Sequence, residues 1–230
     1  YTGAGGGLYL QNGSAFLTNC TICDNFSEEA GGGGILANNL SSFTVEQSTI
    51  CRNDGGGILV RYGVANITDT VFDGNVATTT YGGAGLSLNR AGTAVVTRCD
   101  FVNNRAAFGA GVYTLLSNSV DIVDSTIDAN GGTDGDPNTP YKTHQGGGIY
   151  VREGPLTITA STISANEAYD GGGIFMTEGS PAITVLNSTI STNSADHSGG
   201  GVFVEVGDAT FNNSTVTGNS ATGIEGYNGD

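Results

Sequence analysis

The sequence predicts an all-β fold in which short parallel strands stack coil upon coil around one shared core, and three observations predict it. A Gly-Gly-Gly or Gly-Ala-Gly tripeptide ends at Gly7, Gly34, Gly57, Gly85, Gly111, Gly148, Gly173 and Gly201, each time followed by Leu, Ile or Val. An asparagine arrives 18 to 20 residues later in every unit: Asn25, Asn53, Asn75, Asn104, Asn130, Asn166, Asn193 and Asn219. Between these marks lie short apolar–polar alternations, and nowhere a helical period long enough to cover a sheet face. Self-similar units with strands and no helix are the signature of a parallel β-helix. One coil cannot bury its own apolar face, so the eight units are expected to share a core as eight stacked coils.

Each coil is expected to hold three short strands. Gly148-Ile149-Tyr150-Val151 is the first in one unit, Leu156-Thr157-Ile158-Thr159 the second and Ser161-Thr162-Ile163-Ser164 the third. A strand's period of two assigns the faces. Leu8 and Leu10, Ile149 and Val151, Ile174 and Met176, and Val202 and Val204 point inward. Between each inward pair, or at its equivalent, stands an outward column: Tyr9, Leu36, Leu59, Ser87, Tyr113, Tyr150, Phe175 and Phe203. The first residue of the Ser-Thr-Ile triplet forms an inward column of small residues, including Ser48, Ser125, Ser161 and Ser188. The threonines face out, and Thr162-X-Ser164, Thr189-X-Ser191 and Thr215-X-Thr217 make a short hydroxyl array. The recurring asparagine closes the coil. Its amide is placed to bond the turn backbone and the identical amide one coil away, about 4.8 Å distant as strands are.

Composition narrows the function classes. Seven Lys+Arg stand against 22 Asp+Glu, a formal charge of −15, which leaves no electrostatic footprint for nucleic acid. The sequence has no apolar run of transmembrane length. The distance from the ladder asparagine to the next glycine motif varies, and after Asn130 it reaches 18 residues. Asp134, Asp136 and Asn138 in that excursion place three oxygen donors at alternate positions, as calcium loops do. Gln145 stands where an EF-hand glutamate would close such a site, so a calcium loop and a solvated turn both fit.

Cys23 and Cys51 occupy the same position in neighbouring coils, within the Cα range of a disulfide, and are expected to be bridged. Cys20 and Cys99 face inward three coils apart and are expected to stay free. A bridge points to an oxidising compartment, hence to a secreted or cell-surface protein. Eight Asn-X-Ser/Thr sequons accompany it, of which Asn12, Asn39 and Asn66 are the outward glycosylation candidates.

Gly-Gly-X-[Ile/Leu/Val] followed by Phe-X-X-Asn, as at Phe72–Asn75 and Phe101–Asn104, resembles the paired repeats of polymorphic outer membrane proteins and related cell-surface β-helix proteins. The resemblance spans nearly the whole chain. It implies right-handed coiling, secretion and a surface role in adhesion or matrix.

Two arrays compete as functional surfaces. The aromatic column, with Tyr9, Tyr113, Tyr150, Phe175 and Phe203, would run about 34 Å at strand spacing as exposed apolar surface, fit to stack on sugar rings or on another protein. On the third strands, Asp73 and Asp128 share a column about 9.6 Å apart with Asp100 near the coil between, close to the separation of an inverting glycosidase pair. Arg98 lies between Asp69 and Asp124 in the adjoining column and compensates their charge. Residues 1–230 are expected to form one β-helix domain, part of a longer chain or a subunit that associates head to tail or laterally. The reading favoured is a non-enzymatic extracellular structural or adhesive protein. The alternative is a carbohydrate-binding or carbohydrate-active module.

Overall fold

A computed structural model describes residues 5–27, 32–77, 82–131, 145–179 and 182–223. Among them all regular structure is β, and every strand pairs in parallel with its counterpart in an adjacent coil. The sixth coil shows the plan: Ile149–Arg152, Leu156–Thr159 and Thr162–Ser164, then a fourth short strand, Glu167–Asp170, that the repeat did not announce. First and second strands of all coils belong to one 14-stranded sheet, called A. Third strands form an eight-stranded sheet, B, in which Thr21–Cys23 is the first strand and Thr215–Thr217 the last. The fourth strands make two short sheets of two and three strands, called C.

The chain turns between sheets on residues of left-handed conformation. One column joins the second strand to the third: Asn19, Gln47, Asp69, Arg98, Asp124, Ala160, Asn187 and Asn213, all with φ between 49° and 52°. A second precedes the ladder asparagine and includes Arg52, Asn103, Ala129, Ala165 and Thr192. Such a φ is costly for an ordinary L-residue and is paid here only because corner geometry is fixed by sheets on both sides. Alanine, glutamine and threonine carry no sequence mark of that conformation, so these corners were not legible.

Inside, Phe43, Ile50, Phe72, Phe101, Ile127, Ile163 and Ile190 are fully buried in one continuous core, with the Phe72 and Phe101 rings stacked 4.5 Å apart. Ile149, Val151, Ile174 and Met176 face this core as the period of two required. In the first and last described coils the inward residues are less covered, as at Leu8, Leu10, Val202 and Val204.

The asparagine column is a ladder. Each Nδ2 donates to the Oδ1 of the next coil at 2.9–3.0 Å, from Asn25 to Asn53 and so on to Asn219. The same Oδ1 also accepts the backbone N–H of the preceding asparagine, as from Asn130 to Asn166 at 2.9 Å. The other Nδ2 hydrogen reaches a third-strand carbonyl of the previous coil, as from Asn130 to Phe101 at 2.8 Å. All amide capacity is used, which is what a fully buried amide requires. The glycine motif abuts this ladder: a Cβ at Gly148 would meet the Gly173 carbonyl oxygen at 2.6 Å and the Asn166 side chain at 3.1 Å.

The small-residue column is a second ladder. Ser125 N–H donates to Ser161 Oγ, Ser161 N–H to Ser188 Oγ and Cys99 N–H to Ser125 Oγ, each at 3.1 Å. Each of these serines returns its hydroxyl hydrogen to the carbonyl two residues earlier, at 2.8 Å.

Candidate functional site

The aromatic column lies in register where the period of two put it, Tyr113 beside Tyr150, Phe175 and Phe203 in turn. Its exposure does not follow. Tyr113, Tyr150 and Phe175 are buried, Phe175 completely, and only Tyr9 at 46% is open to solvent, with Phe203 half-buried. The cover begins at the glycine motif, whose first residue lies over the column: a Cβ at Gly171 would sit 2.8 Å from that of Phe175, and one at Gly83 2.9 Å from that of Tyr113. Phe108, just before a glycine motif, meets Tyr150 edge-on at 5.3 Å. The expected exposed stripe is therefore a second, smaller core of stacked rings, Tyr113 on Tyr150 at 5.3 Å and Tyr150 on Phe175 at 5.4 Å. Burial, then the neighbouring Tyr113, pushes the Tyr150 phenol up to about 12.

Sheet B keeps its outer face open. Asp73 and Asp128 stand in one column with Val102 between them, and Asp100 occupies the neighbouring column beside Val71 and Thr126. The Ser164 hydroxyl donates to Asp128 at 2.5 Å and the Asn103 amide to Asp73 at 3.2 Å. Asp69, at the corner, takes both arms of Arg98 at 2.7 and 2.9 Å. The hydrogen bonds from that guanidinium hold the Asp69 carboxyl below the usual aspartate range. Downstream the same face turns from carboxylates to hydroxyls, with Thr162, Thr189 and Thr215 in one register column and Ser164, Ser191 and Thr217 in the next.

Cys23 and Cys51 are bonded, with Cα atoms 4.5 Å apart, while Cys20 and Cys99 are free thiols. Burial pushes the Cys99 thiol up to about 12. Asn12, Asn39 and Asn66 are all exposed, and the Asn39 amide donates to Asn12 Oδ1 at 2.8 Å. Asp134, Asp136 and Asn138 lie outside the described residues. Among the described residues no group of three or more His, Cys, Asp or Glu side chains is placed to hold a metal.

One cluster went unnoticed in the sequence. Asp170, largely buried, accepts the Ser198 N–H at 3.1 Å and lies 2.9 Å from His197 Nδ1, whose ring stacks on Tyr169 at 5.1 Å. These contacts span the register shift between Glu167–Asp170 and Ser194–Ser198, so they hold an irregular stretch of sheet C together. The one available signal was position: each residue stands just before a glycine motif, one coil apart.

A parallel solenoid with this ladder defines a β-helix protein. Residues 65–230 match the family described as the right-handed β-helix region, and the chain belongs to that family. No curated protein and no solved structure matches the chain.

Proposed function

We propose that this chain is a non-enzymatic extracellular structural or adhesive protein, a surface or filament subunit that associates with copies of itself coil on coil and side by side. The observation that carries the reading is the unbroken ladder. Its interior polar groups are committed to coil-to-coil bonding, which makes a rod held along its axis. The disulfide supports an oxidising, extracellular setting. The likeness of the Phe-X-X-Asn repeats to polymorphic outer membrane proteins supports the same surface role. Calcium held by Asp134, Asp136 and Asn138, and glycans on Asn12, Asn39 and Asn66, complete the proposal.

Electron microscopy of the chain across calcium concentrations tests it. Fibres or laterally associated rods support the reading; isolated rods of one length at every concentration overturn it. A second reading, a carbohydrate-binding or carbohydrate-active module, rests on the shared column of Asp73 and Asp128. Polysaccharide turnover by the chain that disappears in Asp73→Asn and Asp128→Asn would establish that reading instead.

A further inference from the structure

With the aromatic column covered, the outer face of sheet B is a flat surface free to meet another molecule. From the third coil to the eighth its strands, Val71–Asp73 to Thr215–Thr217, keep one register without a bulge. None of their outward side chains is buried. The first three of these coils carry Asp73, Asp100 and Asp128, and the next three carry a hydroxyl at every outward position. The division falls midway and makes the face self-complementary. A two-fold axis along the strands, between Thr126–Asp128 and Thr162–Ser164, exchanges the fifth coil with the sixth, the fourth with the seventh and the third with the eighth. Each column then meets itself, so Asp128 faces Ser164 of a second copy, Asp100 faces Thr189 and Asp73 faces Thr217. Every carboxylate meets a hydroxyl and none meets another carboxylate. The corner residues agree, for the same axis brings Gly74 to Gly218, Ala129 to Ala165 and Arg98 to Asn187. Within one chain the pairing already occurs at the boundary, where Ser164 donates to Asp128 at 2.5 Å. Among the described residues no hydrogen bond engages the side chains of Asp100 and Thr189, which leaves an acceptor and a donor for the second copy.

We propose that the outer face of sheet B is a lateral interface between two copies of this chain, packed face to face with their solenoid axes antiparallel. This rests on the self-association proposed above and gives it a face and a direction. Parallel axes would set the third to fifth coils of both copies against each other, and like charges brought together across an interface are strongly disfavoured. Antiparallel axes give each carboxylate a hydroxyl donor, and a hydrogen bond to an ionised acceptor is the stronger kind. Five steps at strand spacing make a face about 24 Å long. That is small for a protein interface, so one pair of copies associates weakly and reversibly.

Sedimentation equilibrium of the whole chain, at concentrations up to about 1 mM, tests the interface. EDTA is present so that no divalent cation bridges carboxylates, and physiological ionic strength screens the repulsion between two copies of charge −15. The unaltered chain should dimerise. Thr189→Asp sets a carboxylate opposite Asp100 of the second copy and should weaken dimerisation about 10- to 100-fold. Exchanging the two residues, Asp100→Thr with Thr189→Asp, should restore the original constant. Both residue types already stand in this column, so the coils accept them, and circular dichroism of each variant should match the unaltered chain. Within one chain the two positions lie three coils apart, about 14 Å, so the rescue passes through the second copy. A chain that stays monomeric, a dimer indifferent to Thr189→Asp, or an exchange that fails to restore it overturns the proposal. The indifferent dimer leaves side-by-side association standing on another face, whereas monomers at every concentration remove that association as well.

Discussion

Two columns run the length of this solenoid, and they met opposite fates in prediction. The asparagine column stands inside and bonds as its residue type demands, amide to amide from Asn25 to Asn219. The column from Tyr9 to Phe203 stands on the outer face of sheet A and was expected to meet solvent or a ligand, yet Tyr113, Tyr150 and Phe175 are buried. The difference lies in what each column needs to be complete. A buried amide finds its partners in its own repeat one coil away. A ring on the outer face of a sheet is exposed or buried according to a different part of the chain, the glycine motif and the residues leading into it, whose length varies from coil to coil. Periodicity therefore assigns a face of a strand but not the number of layers outside it.

The largest expected effect tests the covered column. Phe175→Ala should destabilise by about 3–5 kcal/mol, the cost of a fully buried phenylalanine, and lower the melting temperature accordingly. A solvent-facing ring would cost under about 0.5 kcal/mol. Thermal and urea unfolding separate the two, and the smaller value would restore the open stripe. Next comes the ladder. Asn130→Ala removes the acceptor of Asn104 N–H and Nδ2 and strips the Phe101 carbonyl and Asn166 Oδ1 of a donor. Unsatisfied buried groups of this kind cost about 2–3 kcal/mol. A loss near zero would mean that water replaces the amide and that the ladder is not the axial tie.

Much of the fold was legible because glycine and asparagine recur for reasons that allow few substitutes. Gly148 fits where any Cβ would strike the Gly173 carbonyl, and Asn166 fits where one side chain must donate twice and accept twice. The bridge between Cys23 and Cys51 was legible by the same coil-to-coil logic. The corners were not, since Arg98, Ala160 and Thr192 adopt left-handed φ without any residue preference to announce it. The Asp170–His197 contact was missed because it stabilises an irregularity, and irregularities are invisible to a repeat. The serine ladder was half legible: the inward face followed from the period, the bonding only from the folded coils.

A smaller effect of opposite sign sharpens this point. Thr192 is β-branched and holds φ at 54°, an unfavourable state for its side chain. Thr192→Gly should stabilise by about 0.5–1 kcal/mol, and a loss instead would mean that the Thr192 hydroxyl bond to the Ser191 carbonyl, at 2.7 Å, outweighs the backbone strain.

The smallest effect belongs to the open face, where a column has no layer outside it to answer to. Asp69 titrates below the ordinary aspartate range because Arg98 donates to both of its oxygens. A depressed folded pKa means that the pair's contribution is present above the unfolded aspartate pKa and is lost as pH falls through the folded one. Both side chains are exposed, so solvent and salt screen that contribution. Arg98→Ala should return the Asp69 carboxyl to the ordinary range in an NMR titration while the melting temperature at neutral pH stays unchanged. A clear fall in melting temperature would show that the corner residues of sheet B carry axial load. The contrast between a bonded interior and a permissive exterior would then fail at the turn that joins them.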